Sequence, residues 1–391
     1  MTSSTKNKRS FSLLPQVTML TLTRMVINTG VRMVYPLLPV FARGLGVDVA
    51  SFAIILTIMQ LTGITAPIFG QLSERQGRRF TMLLGLGAYG AGIALVFIYP
   101  SYIGFAAALI VASLGKVAYD PALQAYIGDR VPYEKRGLFM GIIEFGWSGA
   151  FIIGVPIMSW LIAGANWQIP FVALTILTGV AWLTTFIMLD KDKPSERPQG
   201  SFLQGVRAAI NSPIAVAGLL LGFGISGANQ MVTVVFGLWI ENSFGIQLAA
   251  LAAASAVIGI SELGGEGIVT IIADRFGKRR LIIISIIGNM LVCLVLPFMN
   301  ASLTVALIGL FFFYLTFETA LVASIPLASE LSPKARGMYL TVFVSAITIG
   351  RTIATPLSTI AFTYGLLTNT IGAIIFNIIA LIAVWRYIRI E

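Results

Sequence analysis

Charged side chains inside apolar segments are the residues of this chain with the greatest capacity for chemistry. The first apolar segment carries Arg24, Asn28 and Arg32 at four-residue spacing, which places all three on one face of a helix. Farther along, Glu262 and Glu266 are spaced in the same way. A charge is costly in lipid, so such groups must face water, an opposite charge or a ligand. The pattern predicts either a pathway for a solute and protons or a set of internal ion pairs.

Basic and amide side chains are the predicted contacts for a ligand. Buried bases collect in the first half and buried acids in the second, which favours a ligand between the halves with a negative group toward the bases. The predicted contacts are Arg24, Asn28, Arg32, Lys116, Asn229, Gln230 and Arg351. For Arg24 and Arg32 the alternative is neutralisation by structural acids on neighbouring helices. Lys116 lies one helical turn from Asp120, so an internal ion pair is the alternative to a coupling role.

Carboxylates within the apolar segments are the predicted carriers of protons. They are Asp120, Glu144, Glu262, Glu266 and Glu318. Asp120 and Glu144 are expected at similar depth, and repulsion between two nearby carboxylates favours protonation of one. Glu262, Glu266, Thr270 and Asp274 form a stripe at four-residue spacing that covers about 18 Å of helix axis. Neutralisation by a buried arginine is the alternative reading of these acids.

The composition requires a membrane protein. Charged residues are 11% of the 391 and apolar residues are 57%, whereas soluble proteins carry about 25% charged residues. A span of the bilayer needs about 20 apolar residues. Twelve runs of this kind begin near Val17, Phe52, Phe80, Tyr102, Gly137, Ile169, Ile214, Leu248, Leu281, Leu303, Gly337 and Leu366.

The distribution of basic residues predicts the orientation. With twelve spans and both termini in the cytoplasm, Arg43 is the one Lys or Arg in a loop predicted to face outward. This bias follows the positive-inside rule. A basic surface facing anionic lipid accounts for the net charge of +10, so no nucleic-acid partner is predicted. The N-terminus is polar and basic and shows no cleavable signal, so the first helix is the expected insertion signal.

Several function classes are excluded or disfavoured by what the sequence lacks. There is no histidine, and the one cysteine, Cys293, falls in the ninth apolar run. Haem ligation by histidine and the usual zinc sites are therefore excluded, and no metal or other cofactor is predicted. No phosphate-binding loop of the G-x-x-x-x-G-K-[ST] type occurs, so ATP-driven pumping is not supported. A membrane-embedded enzyme and a non-transporting receptor remain rival classes, and we expect no enzymatic activity.

A charged turn occurs twice, and it shows that the chain is an internal duplication. The first copy runs from Gly70 to Arg79 and the second from Ala273 to Arg280. Arg136-Gly137 likewise recurs as Arg336-Gly337, and Pro156 as Pro356, at the same offset. A self-match at a fixed offset is strong evidence for repeated architecture. We call the two copies the signature turns.

The signature turns resemble the motif between the second and third helices of the major facilitator superfamily, roughly G-x-L-a-D-r-x-G-r-R. This chain departs from it at Glu74, usually Asp, and at Thr270, usually Gly. The resemblance implies an all-α membrane protein with two pseudo-symmetric six-helix bundles, in which the third, sixth, ninth and twelfth helices lie outermost. It also implies that these turns join the halves on the cytoplasmic side and that Arg130 pairs with Glu74. The implied gating residues are Gly70, Glu74, Arg75, Gly77, Arg78, Arg130, Asp274, Arg275, Gly277 and Lys278.

These observations predict an N-terminal bundle over residues 1–189, a cytoplasmic linker over 190–211 and a C-terminal bundle over 212–391. The expected function is secondary active transport of a small or amphipathic organic solute, with an anion or zwitterion favoured and protons as the coupling ion. The alternative is a multidrug/proton antiporter. A Gly149, Gly154 and Pro156 bend resembles the antiporter motif of the family, although Val155 separates its Gly from its Pro; a simple proline kink is the other interpretation. We expect a monomer in the plasma membrane.

Overall fold

The computed structural model describes residues 13–190, 206–207, 210–245, 247–332 and 336–388. Regular structure in these ranges is helical throughout. The long helices are α1 (Leu13–Arg32, continued by Leu38–Leu45), α2 (Val49–Gln76), α3 (Arg78–Ile98), α4 (Tyr102–Arg130), α5 (Tyr133–Gly149, continued to Gly164), α6 (Ile169–Met188), α7 (Pro213–Phe244), α8 (Leu248–Phe276), α9 (Lys278–Phe298), α10 (Leu303–Leu331), α11 (Arg336–Phe362) and α12 (Leu366–Arg386). Most of the predicted 190–211 linker lies outside the described residues.

Eleven of these helices are long and apolar enough to cross a membrane by length and composition. The remaining one, α1, is 20 residues long before its break and is more polar, because it carries Arg24, Asn28 and Arg32. It packs against α4, α5 and α6, where most of its polar side chains are buried by protein. The twelve-helix fold predicted from the sequence is therefore confirmed.

The duplication appears as matched helix boundaries in the two halves. The α4 helix begins at Tyr102 after Ser101, and α10 begins at Leu303 after Ser302. In each case the serine side chain accepts a hydrogen bond from the backbone amide three residues later and so caps the helix. The signature turns are matched too, because Gly77 and Gly277 have φ angles of 97° and 89°. Glycine adopts such positive φ angles readily, so one residue suffices to separate two spans.

Helix irregularities lie beside the space between the halves. The α2 helix contains a 3₁₀ turn at Thr62–Thr65, just before Pro67, whose missing N–H cannot bond to the carbonyl of Gly63. The α5 helix contains a π-helical turn at Ala150–Gly154, just before Pro156. Such turns are frequent at functional sites because they redirect side chains. The residues predicted to bend α5, Gly149, Gly154 and Pro156, lie in or beside this π-helical turn.

The halves contact each other through two equivalent helix pairs. The α2 helix packs on α11 through its Val49–Leu61 part, and α8 packs on α5. The extensive contacts of α3, α6, α9 and α12 are with helices of their own half. These four helices are therefore peripheral, as the resemblance implied.

The face opposite the signature turns is closed. There Leu38–Leu45, the end of α1, packs against Phe236–Phe244, the end of α7. Arg43 Nη1 lies 2.5 Å from Glu241 Oε1 and joins the two halves at this face. On the face with the signature turns, Ala66–Gln76 packs on α3 and α4 of its own half. The halves therefore meet mainly on one side of the molecule.

Candidate functional site

A cavity of about 220 Å³ lies between the halves. Both halves contribute polar side chains to it. The charged, amide and aromatic residues of its lining, together with one threonine, are Arg32, Tyr35, Gln60, Lys116, Asp120, Trp147, Phe151, Asn229, Gln230, Thr233, Glu262, Tyr314, Phe317 and Arg351. Such a partly apolar cavity with a few convergent polar groups is the usual form of a small-molecule site.

An ion pair crosses the cavity and joins the halves. Arg32 Nη2 lies 2.5 Å from Glu262 Oε1, and the side chains are 6% and 2% exposed. Arg32 Nη1 also donates to the backbone oxygen of Trp147 at 2.8 Å. The other carboxylate oxygen, Glu262 Oε2, is buried and has no hydrogen-bond partner. The alternative reading of Arg32, neutralisation by an acid on a neighbouring helix, is therefore the arrangement found.

Aromatic rings enclose the Arg32 guanidinium. Its carbon lies 4.0 Å from the ring centre of Trp147 and 3.6 Å from that of Phe151. Both rings come from α5, at the π-helical turn and just before it. Cation–π attraction in a desolvated site adds to the ion pair. Arg32 is thus fixed by α5 and α8 together.

A second charge cluster lies in the first half, toward the signature-turn side of Arg32. Arg24 Nη1 lies 2.8 Å from Glu144 Oε1, and Arg24 Nε lies 3.6 Å from Asp120 Oδ1. Lys116 also pairs with Asp120, one turn away on α4. Asn28 donates to the backbone oxygen of Gly146 at 3.1 Å. Of the residues predicted to bind ligand, Arg24 and Asn28 thus contact the protein and do not line the cavity, whereas Lys116 does.

Arg351 is half-buried and differs from the buried bases Arg24 and Arg32. It lines the cavity, and among the described residues no carboxylate lies within ion-pair distance of it. Its Nε is buried without a hydrogen-bond partner. Its neighbours on α11 are hydroxyl side chains, and Thr355 accepts a hydrogen bond from Gln230 at 3.0 Å. The Arg351 guanidinium can therefore offer donors to a bound group.

Amide side chains complete the polar lining. Asn229 accepts a hydrogen bond from Thr233 at 3.1 Å, while its Nδ2 is buried without a partner. Gln60 donates to the hydroxyl of Tyr35 at 2.5 Å. Asn229 and Gln230, both predicted from the sequence, line the cavity.

Three predicted proton carriers lie outside the cavity lining: Glu144, which pairs with Arg24, and Glu266 and Glu318. Glu318 on α10 is 5% exposed, and Glu266 on α8 is half-buried. Glu318 lies against α8 at Gly265, the residue before Glu266: a Cβ built at Gly265 would lie 2.8 Å from the Cβ of Glu318. The carboxylates of Glu266 and Glu318 form no hydrogen bond and no ion pair in the part of the chain that the structure describes.

The predicted gating residues lie at one face of the molecule. Arg78 lies 3.3 Å from Asp129, and its second-half equivalent Lys278 lies 2.7 Å from Glu330. Arg130 packs its guanidinium 3.6 Å from the ring centre of Tyr126. Arg75 and Arg275 are exposed, and Gly70 lies within α2 with open space around it. The side chain of Asp274 lies outside the described residues, and a Glu74–Arg130 pair stays a prediction.

Sequence reasoning missed the cavity aromatics as site residues. Tyr35 follows Arg32 by three positions and continues the face set by Arg24 and Arg32, so its spacing could have identified it. Tyr314 and Phe317 stand in an aromatic run that reads as packing. Trp147 and Phe151 give no sequence signal, because their role depends on which helix faces them.

The comparisons with known proteins agree with the fold described above. The family model described as Major Facilitator Superfamily matches residues 20–355 and 219–391. This chain belongs to the Major Facilitator Superfamily. It is accordingly a multi-pass membrane transporter, and the family predicted from the signature turns is confirmed.

Relatives within the superfamily cover most of the chain. The MFS-type transporter YwfA of Bacillus subtilis (strain 168) is 27% identical over 410 residues, which span 99% of this chain and 96% of YwfA. Multidrug resistance protein 2 of the same organism is 26% identical over 73% of each chain. Multidrug resistance protein MdtG of Escherichia coli O1:K1 / APEC is 23% identical, over 71% of this chain and 70% of MdtG.

Solved structures of the superfamily share the fold. The POT family transporter PepTSo aligns with a TM-score of 0.78 at 13% identity, over 96% of this chain and 97% of the other. A bacterial homologue of the human lysosomal transporter Spinster, in an inward-facing and unoccupied conformation, aligns with a TM-score of 0.74 at 13% identity, over 95% and 97%. At this identity the likeness concerns the fold alone.

Proposed function

We propose that this chain is a proton-coupled secondary transporter of a small or amphipathic organic solute, with an anion or zwitterion favoured. The two halves rock about the cavity and expose it alternately to the two sides of the membrane. Loops rich in Lys and Arg support a plasma-membrane protein with both termini in the cytoplasm. The state described above, closed at Arg43 and Glu241, is then the one that faces the cytoplasm.

The observation that carries the preference for an anion is Arg351. Three bases line the cavity, and Arg32 and Lys116 already have carboxylate partners. Arg351 has none in the described part of the chain, and an unpaired buried charge is costly. A carboxylate or similar group on the solute would supply the missing partner through charge-assisted hydrogen bonds. The apolar body of the solute would then lie toward Tyr314 and Phe317.

Three compounds of similar shape and different charge test this preference for an anion. Benzoate, benzamide and benzamidinium share a phenyl ring with a planar head of charge −1, 0 and +1. We expect benzoate to raise the melting temperature of the purified protein most and to bind most tightly by calorimetry. Arg351→Gln should weaken benzoate binding about 10- to 100-fold, the worth of a hydrogen bond to a charged group.

The control removes an equal charge elsewhere. Arg280→Gln changes an exposed residue at the start of α9 and should leave benzoate binding as in the wild type. Tighter binding of benzamidinium, no binding of benzoate, or equal benzoate binding by Arg351→Gln and the wild type would each contradict the anion site.

A multidrug/proton antiporter is the second candidate. It is favoured because two relatives are named multidrug resistance proteins. Glu262, Glu266 and Glu318 would then serve a cationic compound and protons in turn. The two candidates differ in a growth assay with an efflux-deficient bacterial host. Protection against tetraphenylphosphonium that depends on Glu318 would favour the antiporter, whereas the anion transporter should give no protection.

A further inference from the structure

The cavity between the halves contains a buried acceptor that has no donor from the protein. The side chain of Glu262 is 2% exposed and accepts a hydrogen bond from Arg32 through Oε1. Its Oε2 has no hydrogen-bond partner among the described residues, although Glu262 lines the cavity. A buried polar atom without a partner is uncommon and costly. This oxygen therefore marks a place where a bound molecule can donate a hydrogen bond.

The surroundings of Arg32 explain why it reaches one oxygen of Glu262. Nη1 donates to the backbone oxygen of Trp147 at 2.8 Å, while Nη2 donates to Glu262. The ring centres of Trp147 and Phe151 lie 4.0 and 3.6 Å from the guanidinium carbon. The α5 helix thus fixes the orientation of Arg32, and the second oxygen of Glu262 stays available.

The second half of the chain also presents donors to the cavity. The Nε of half-buried Arg351 has no hydrogen-bond partner in the described residues. Asn229 is 5% exposed; its Oδ1 accepts from Thr233 at 3.1 Å, and its Nδ2 likewise has no partner there. The Thr233 hydroxyl lies 2.9 Å from that of Tyr314, which helps to hold the amide in this orientation. The lining therefore combines two donor groups with one acceptor.

The charges of the cavity specify the charge of a complementary solute. Arg32 neutralises Glu262, and Lys116 pairs with Asp120. Of the charged side chains that the described structure places in the lining, Arg351 remains without an opposite charge. A solute with one negative charge balances Arg351, whereas an added cationic group beside Glu262 and Arg32 would restore the imbalance. The group that meets Glu262 is therefore expected to be a neutral O–H or N–H.

We propose that the solute of this transporter is a monoanion that carries a neutral hydrogen-bond donor, an O–H or N–H, apart from its anionic group. The anionic group lies at Arg351 and Asn229, and the donor bonds to Glu262 Oε2, so that Glu262 determines specificity. A solute that fills the cavity displaces water from it, and a solute without a donor then leaves this oxygen unsatisfied. The inference rests on the proposed function for the anion site at Arg351.

Three substituted benzoates with substituents of similar size test the donor. The hydroxymethyl compound carries a neutral donor, the ethyl-substituted compound an apolar group and the aminomethyl compound a cationic donor. Each is measured by calorimetry as its meta and para isomers, and the tighter isomer of each is compared. We expect the hydroxymethyl compound to bind about 10- to 100-fold more tightly than the ethyl-substituted one, the worth of a hydrogen bond to a charged group. The aminomethyl compound should bind more weakly than the hydroxymethyl compound.

Substitutions at two glutamates of α8 assign the contact. Glu262→Gln replaces the carboxylate by a neutral amide, so it should reduce the preference for the hydroxymethyl compound several-fold. Glu266→Gln makes the same change one helical turn away, outside the cavity lining, and should keep the wild-type preference. If Glu262→Gln does not fold, the double variant Arg32→Met, Glu262→Leu removes the ion pair without leaving a buried charge. It should abolish the preference and still bind unsubstituted benzoate.

Three results would overturn the proposal: equal binding of the hydroxymethyl and ethyl-substituted compounds by the wild type, an unchanged preference in Glu262→Gln, or tightest binding of the aminomethyl compound. Each of them leaves the anion site intact, because unsubstituted benzoate would still depend on Arg351. Failure of the anion site appears differently, as equal binding of unsubstituted benzoate by Arg351→Gln and the wild type.

Discussion

At the scale of single residues, the site combines satisfied and unsatisfied charges. Arg24 and Arg32 are both buried in α1. Arg24 pairs with two acids and Arg32 with one. Arg351 is the base that lines the cavity without such a partner in the described residues. Burying an ion pair costs desolvation free energy. Removing one member costs still more, because the other charge is then buried without a partner. The paired arginines are therefore expected to matter for stability and Arg351 for binding.

The Arg32–Glu262 pair gives a prediction about stability. Arg32→Met leaves the buried Glu262 carboxylate without a base, so we expect a loss of about 3 to 5 kcal/mol in the free energy of unfolding. Chemical unfolding in detergent micelles measures this loss. The double variant Arg32→Met, Glu262→Leu removes both charges and should regain most of it. A double variant as unstable as the single one would show that the charges are not coupled.

At the scale of elements, α8 and α10 approach each other closely beside Glu318. Both helices are 29 residues long, and they meet where Gly265 faces Glu318. Helices in membranes pack closely at small residues because no hydrophobic force pulls them together in lipid. The position of one glycine thus sets which side chains of α10 reach the stripe of acids on α8.

A pair of glycines on α8 tests this packing. Gly265→Ala would bring a methyl group against α10, and we expect a loss of about 1 to 3 kcal/mol in stability from the overpacking. Gly267→Ala is the matched control, since nothing lies within 4 Å of its Cβ position. Alanine has the higher helix propensity, so the control should be neutral or slightly stabilised. Melting temperatures of the two variants in one detergent compare them, and equal losses would refute the packing argument.

At the scale of the whole molecule, the halves meet on the face opposite the signature turns. The Arg43–Glu241 pair joins them there, with side chains that are 48% and 13% exposed. The two residues lie at nearly equivalent positions of the duplication but carry opposite charges. We therefore expect the pair to stabilise the contact between the halves at this face.

Charge reversal tests that role. Arg43→Glu places two acids at the contact, so the population open at this face should increase. The exchanged double variant Arg43→Glu, Glu241→Arg should return it to the wild-type level. Distances between spin labels on the Leu38–Leu45 and Phe236–Phe244 helices would measure the populations. If the single variant leaves the distances unchanged, the pair does not contribute to closure.

Local patterns along the chain are sufficient to predict the class of the molecule. Apolar runs predict twelve spans, and helices begin at Tyr102, Ile169, Leu248, Leu303 and Leu366, where the runs were predicted to begin. The repeated turns predict the two-bundle fold. One ion pair, Lys116–Asp120, was also predictable, because residues four apart meet on a helix. These features depend on local periodicity and on the cost of polar groups in lipid, both of which are written along the chain.

The partners of the other charged side chains depend on how the helices pack. Arg32 and Glu262 are 230 residues apart, and no spacing rule relates them. Whether an arginine meets an acid, as Arg24 does, or faces a cavity, as Arg351 does, depends on how helices of the two halves rotate and pack. The position of Glu318 against Gly265 likewise depends on a contact between two helices. Charge pairing across helices is a property of the packed bundle, since each partner is specified by geometry and not by distance along the chain.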